Sequence, residues 1–163
     1  MNPEALRRIL VRELRALATE LDAYPDDASV WACPTGVENS AGTLTLHLTG
    51  NLRHFVGARL GGRPYVRDRE EEFAARGLSR ADLRGRIAAA IEDVERALAD
   101  FDPSRLAEEF PDVVGGVRLP VGLFLLHLVA HCGYHLGQLD YHRRTVTGTA
   151  HGVGVLSPAA LAE

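Results

Sequence analysis

The chain has 163 residues, 46% of them apolar and 25% charged, with a formal net charge of −4. That is the length and balance of one globular domain with a buried core, and the acidic balance gives nucleic-acid binding no footing as a general role. All 18 basic residues are arginine, and the two cysteines, Cys33 and Cys132, form no C-x-x-C pair, so no disulfide framework is expected.

In chain order, the first predicted helix runs from about Pro3 to Ala23. Leu6, Leu10, Leu14, Leu17 and Leu21 recur at three- and four-residue spacing and make one apolar stripe. Tyr24-Pro25-Asp26-Asp27 ends it, and the segment with Trp31, Pro34 and Gly36 reads as a loop. A second helix begins near Ser40 to Thr43 and ends at Gly61-Gly62, with Leu44, Leu48, Leu52 and Phe55 as its core stripe. His47 falls at the edge of that stripe, and Asn51 and His54 lie on nearly the same line. A long charged connection, Gly61 to Leu78, follows. Connections of that length usually serve a function. Its arginines Arg63, Arg67 and Arg69 face the acidic run Glu70-Glu71-Glu72, which reads as a solvated, salt-bridged loop with some capacity to hold an anion.

The third helix opens on Ser79-Arg80-Ala81-Asp82, a start like a capping box, and carries Leu83, Ile87, Ile91, Val94 and Leu98. Residues Leu106 to Leu119 surround Gly115-Gly116 and predict a small hairpin or extended loop. The last helix starts at Pro120 and runs to about Thr147, with Gly148 as its stop. The tail from His151 to Glu163 reads as a loosely held arm. No secretory h-region is visible near Arg7, and no apolar run approaches the roughly 18 residues of a membrane helix. A cytoplasmic chain without a membrane partner is expected. Four amphipathic helices predict an all-α four-helix bundle over residues 1–150, with a long crossover connection and residues 151–163 as a tail.

The last helix carries His127, His131, His135 and His142 in one stripe, within about 40° of His131. Only neighbours four apart can share an ion, so the candidate pairs are His127 with His131 and His131 with His135. Two imidazoles on one turn, with a third from a facing helix, can grip a metal ion and leave a position open. Ordinary hydrogen-bonded core histidines are the competing reading. Asn51 and Gln138 are candidates to accept from the far ring nitrogens of His47 and His135, against the stronger competing reading of ordinary polar residues at a bundle rim. Cys132 points about 100° away from His131 and reads as a small core residue. Gly133 and Gly137 each cost about 1 kcal/mol against alanine, which implies close approach by another helix or room for a ligand.

Leu46-His47-Leu48, followed far downstream by His131-Cys132-Gly133-Tyr134-His135-Leu136-Gly137-Gln138-Leu139, resembles the DinB-like (YfiT-like) metalloenzyme superfamily. Members commonly follow H-x-x-x-H with arginine, glycine and glutamine. Leu136 stands at the arginine position here, and Gly137-Gln138 are kept. Gly50-Asn51-Leu52-Arg53-His54-Phe55, Arg67-Asp68-Arg69 and Glu72-Phe73 resemble one branch of that superfamily. The resemblance covers roughly residues 5–148. It implies a divalent ion, Zn or Ni, held by His47, His131 and His135. It also implies a low-molecular-weight thiol such as bacillithiol, mycothiol or glutathione, and a homodimer.

The resulting expectation is a divalent-metal protein acting as a metal-dependent S-transferase, with a small-molecule ligand whose carboxylates meet Arg67 and Arg69. A non-catalytic metal- or small-molecule-binding bundle, a metal-dependent hydrolase and a purely structural dimerising bundle are the alternatives. The hydrolase lacks an H-E-x-x-H motif to supply its base.

Overall fold

The computed structural model describes residues 2–154 and 156–161. Among them the chain is all-helical, with no β-strand. The helices are α1 (Pro3–Asp22), α2 (Asp27–Val30), α3 (Ala41–Leu52), α4 (Arg69–Ala74), α5 (Arg80–Leu98) and α6 (Val121–Thr147). Caps written in the sequence set several ends. The Asn2 side chain accepts from the Glu4 N–H at 2.9 Å and Pro3 takes the first helical position. Ser79 and Asp82 cap each other at the start of α5. Gly148, in the left-handed region at φ 69°, ends α6.

The leucine stripe of α1 is buried, and α1 packs on α5 and α6. α3 packs on the same two helices and on α4. Every residue of α3 is buried, His47 included. The amphipathic stripe expected for this helix is therefore incomplete. The crossover covers the side that the sequence left to solvent, and the Trp31 indole closes over Gly42, where a Cβ would meet the ring at 2.7 Å.

α3 does not simply continue to Gly61. Arg53–Ala58 form a π-helical turn, in which the Arg59 N–H donates to the His54 carbonyl five residues back at 2.9 Å. The segment lies hard against α5. A Cβ on Gly57 would stand 2.9 Å from the Asp93 Cβ, and one on Gly61 would stand 2.6 Å from the Ala97 Cβ. Arg53 and Arg63 clasp Asp93 from both sides, at 2.9 and 3.1 Å. Arg63 is thus committed to α5, and the arginine cluster expected with Arg67 and Arg69 does not form.

The connection from Gly61 to Leu78 is not wholly a loop. Asp68 caps α4, whose Glu72 and Phe73 turn inward. Residues 106–120 contain two isolated antiparallel bridges, Glu109 with Pro120 and Val114 with Val117, around the turn at Gly115-Gly116. The tail is tied down. Arg143 Nη2 donates to the His151 carbonyl at 3.2 Å, and Pro158–Leu161 lies against α1. Residues 155, 162 and 163 of the tail lie outside the described residues.

Candidate metal centre

α3 presents His47, and α6 presents His131 and His135, to a single point. His131 Nε2 is 3.2 Å from His47 Nε2 and 3.1 Å from His135 Nε2. The three atoms all lie within 4.8 Å of one another. Two nitrogens on one tetrahedral zinc, each at about 2.05 Å, stand about 3.3 Å apart. The observed spacings match that edge.

The outer hydrogen bonds fix how these rings are protonated. A carboxylate only accepts, so the His47 Nδ1–H donates to Glu72 Oε2 (3.2 Å); Arg67 Nη2, 3.3 Å from the same nitrogen, donates to that oxygen at 2.7 Å instead, and His47 Nε2 keeps its lone pair. Gln138 Oε1 accepts from His135 Nδ1 at 2.7 Å, with the same consequence. Two lone pairs then face His131 Nε2, which has at most one proton to share, while His131 Nδ1 is buried without a partner. A cation at the meeting point satisfies all three nitrogens together.

Burial, reinforced by the neighbouring His135, His47 and His127 rings and by Arg67, pushes the His131 imidazole down to about 4. Burial lowers His135 as well; the Gln138 hydrogen bond opposes this and His47 reinforces it. Both rings are therefore neutral at pH 7, the form that binds metal.

Behind His47 stands a second layer. Glu72 is only 6% exposed, and Arg67 grips both its oxygens at 2.7 Å. Burial pushes the Glu72 carboxyl up, but the Arg67 guanidinium and the His47 ring outweigh it and hold the group below the usual carboxylate range. Gly50 makes room for this pair, since a Cβ there would lie 2.1 Å from Glu72 Oε1. Phe73 packs its ring 5.0 Å from that of His47.

The other sequence candidates fall elsewhere. Asn51 is buried and makes no hydrogen bond to His47; Glu72 takes the place expected for it, and Asn51 Oδ1 has no partner. Arg67 is spent on Glu72. Arg69 lies 4.9 Å over the Phe73 ring, and no carboxylate pairs with it among the described residues. His127 is exposed and stacks on Phe124, 6.0 Å from the His131 ring, outside the triad. His142 is buried between the Tyr24 hydroxyl and the Ala32 carbonyl. Cys132 sits in the core, where burial pushes its thiol up to about 12. It is no nucleophile. A Cβ on Gly133 or Gly137 would meet nothing within 4 Å among the described residues.

Two acidic residues escaped the sequence reading. Glu72 was hidden in an acidic run that read as solvated; the adjoining Phe73 was the one sign of an inward face. Asp112, from the loop before α6, lies 3.5 Å from His54 Nε2 and also pairs with Arg59. No local pattern announces that contact.

The model of the DinB superfamily matches residues 9–139, a span that contains all three histidines. No curated protein and no solved structure matches the chain. With that match over most of its length, the chain belongs to the DinB superfamily.

Proposed function

We infer that this chain binds one divalent ion, Zn²⁺ or Ni²⁺, through His47, His131 and His135, and that it is a metal-dependent S-transferase using a low-molecular-weight thiol. The observation that carries the metal reading is the convergence of three Nε2 atoms at 3.1 and 3.2 Å with His131 Nδ1 left unpaired. When bound, such an ion supplies Lewis acidity and lowers the pKa of a thiol or water that reaches it. Among the described residues no side-chain nucleophile stands at the triad, and Cys132 is buried in the core and held as a thiol. A nucleophile brought by the substrate fits that lack. Glu72 and Gln138 orient the ligating rings.

In this reading residues 1–150 are one domain, a four-helix bundle made by α1, α3, α5 and α6 with α4 in its crossover. A homodimer would use the outward face of α6, where Leu123, Leu126, Tyr134 and Tyr141 are exposed beside Gly133 and Gly137. No described helix is long and apolar enough to cross a membrane.

A metal-dependent hydrolase is the second reading, and one observation favours it. His54 lines the same cleft as His47 and pairs with Asp112, an arrangement suited to a general base. Metal-loaded protein offered thiol and electrophile pairs, and ester or amide substrates without thiol, separates the two. Turnover that requires the thiol supports the transferase. Turnover without thiol, lost in His54→Ala, supports the hydrolase. Tight metal binding with turnover of neither kind indicates a non-catalytic metal protein.

A further inference from the structure

A cleft of about 630 Å³ opens beside His47, between the α3 helix with its π-helical turn and the loop before α6. That volume suits a small molecule. Phe55, Pro111, Val113 and Val114 supply its apolar lining, and Asn51, His54, Arg67, Arg69 and Asp112 its polar lining.

Most of the charge in the polar lining is already neutralised. Glu72 takes the Nε and Nη2 donors of Arg67 and neutralises its charge. Arg59 and His54 hold Asp112. Burial lowers His54, so it adds no steady positive charge at neutral pH. Among the described residues no carboxylate pairs with Arg69, the remaining cation of the lining. It lies over the Phe73 ring, whose other neighbour is His47, so it stands one aromatic ring away from the metal triad. Asn51 is 7% exposed, one helical turn beyond His47, and its Oδ1 is buried with no donor to it. A buried carbonyl oxygen in that state calls for an N–H or O–H.

We propose that this cleft binds a small carboxylic acid with an apolar body and one hydrogen-bond donor. Arg69 takes the carboxylate, Asn51 Oδ1 accepts from the donor, and Phe55 with the Val113-Val114 wall covers the apolar body. Arg67 is a positioning residue for Glu72 and not an anion site. The proposal rests on the metal reading only for what happens to the ligand, since every contact named is made by the chain itself.

Calorimetric titration with three probes tests it: N-acetyl-L-leucine, its amide, and 4-methylpentanoate. The first carries carboxylate, donor and apolar body; the second lacks the carboxylate; the third lacks the donor. Each is titrated into metal-loaded and chelator-stripped wild type, Arg69→Gln and Asn51→Ala, with the metal content of every sample measured. The expected result is binding of N-acetyl-L-leucine at least about tenfold tighter than either of the others. Arg69→Gln should remove the preference over the amide, and Asn51→Ala the preference over 4-methylpentanoate, with metal content unchanged in both. Equal binding of acid and amide by wild type, or no binding of any probe, overturns the proposal. Binding that keeps its preferences in stripped protein upholds the cleft even if the chain takes up no metal. Metal uptake without probe binding defeats the cleft and leaves the metal reading standing.

Discussion

Glutamine at position 72 keeps the shape of the side chain and removes its charge. Arg67 then loses its counter-charge, and the amide can turn its NH₂ toward His47 Nδ1, which favours the wrong tautomer. Glu72→Gln is expected to weaken Zn²⁺ binding by about 10- to 100-fold, as loss of an outer partner commonly does. Competition with a chromophoric chelator measures this, with circular dichroism showing the helices intact. Gly50→Ala reaches the same end by sterics. Its Cβ would overlap Glu72 Oε1, so the carboxylate must move off His47. The cost of such overpacking is about 1–3 kcal/mol in stability, and denaturant titration of the metal-free variant reads it. An unchanged metal affinity in both variants would show that His47 orients itself without help.

At the level of elements, α1 and α6 are joined by a buried ion pair. Arg143 Nε donates to Glu20 Oε2 at 2.6 Å, with the two side chains 2% and 1% exposed. Removing one partner leaves the other charged and dry. Arg143→Met is expected to lose about 3–5 kcal/mol, and the double change Glu20→Leu with Arg143→Met to regain most of it. Urea titration of the wild type and the two variants checks the pattern. Next along the same interface, His142 is held neutral. Burial lowers its pKa from the ordinary 6.5, against the opposing pull of the Ala32 carbonyl. The unfolded chain therefore binds this proton more readily. Stability is full above the unfolded value and declines as the pH falls below it. His142→Asn lacks that proton, so the stability gap between wild type and variant should narrow from pH 7.5 to pH 5. A gap that stays constant or widens would contradict a neutral His142.

Over the whole molecule, what the sequence revealed was what lies close along the chain. The leucine stripe of α1, the Ser79 cap and the His131–His135 pair are spacing patterns within one helix, and the described structure has each in place. Long-range contacts carried no such mark. Nothing in Leu46-His47-Leu48 shows that the crossover folds over it, so His47 read as the edge of a stripe and is in fact 8% exposed. Glu72 read as solvated because its burial depends on Arg67 and Gly50, one in the crossover and one on α3. The π-helical turn was equally hidden, since it answers to Asp93 and Ala97 on α5. The triad joins α3 to α6, so a bound ion should stabilise the fold as a whole. At 100 times Kd the gain is about 2.7 kcal/mol, read as a rise in Tm that His131→Ala abolishes.

The most direct test of the central claim is elemental analysis of tag-free protein, purified without a nickel column, beside His131→Ala. One Zn or Ni per chain in the wild type, lost in the variant, is the predicted result. Wild type that takes up no metal after dialysis against Zn²⁺ and Ni²⁺ would contradict the metal centre and leave the three histidines as packing residues of α3 and α6.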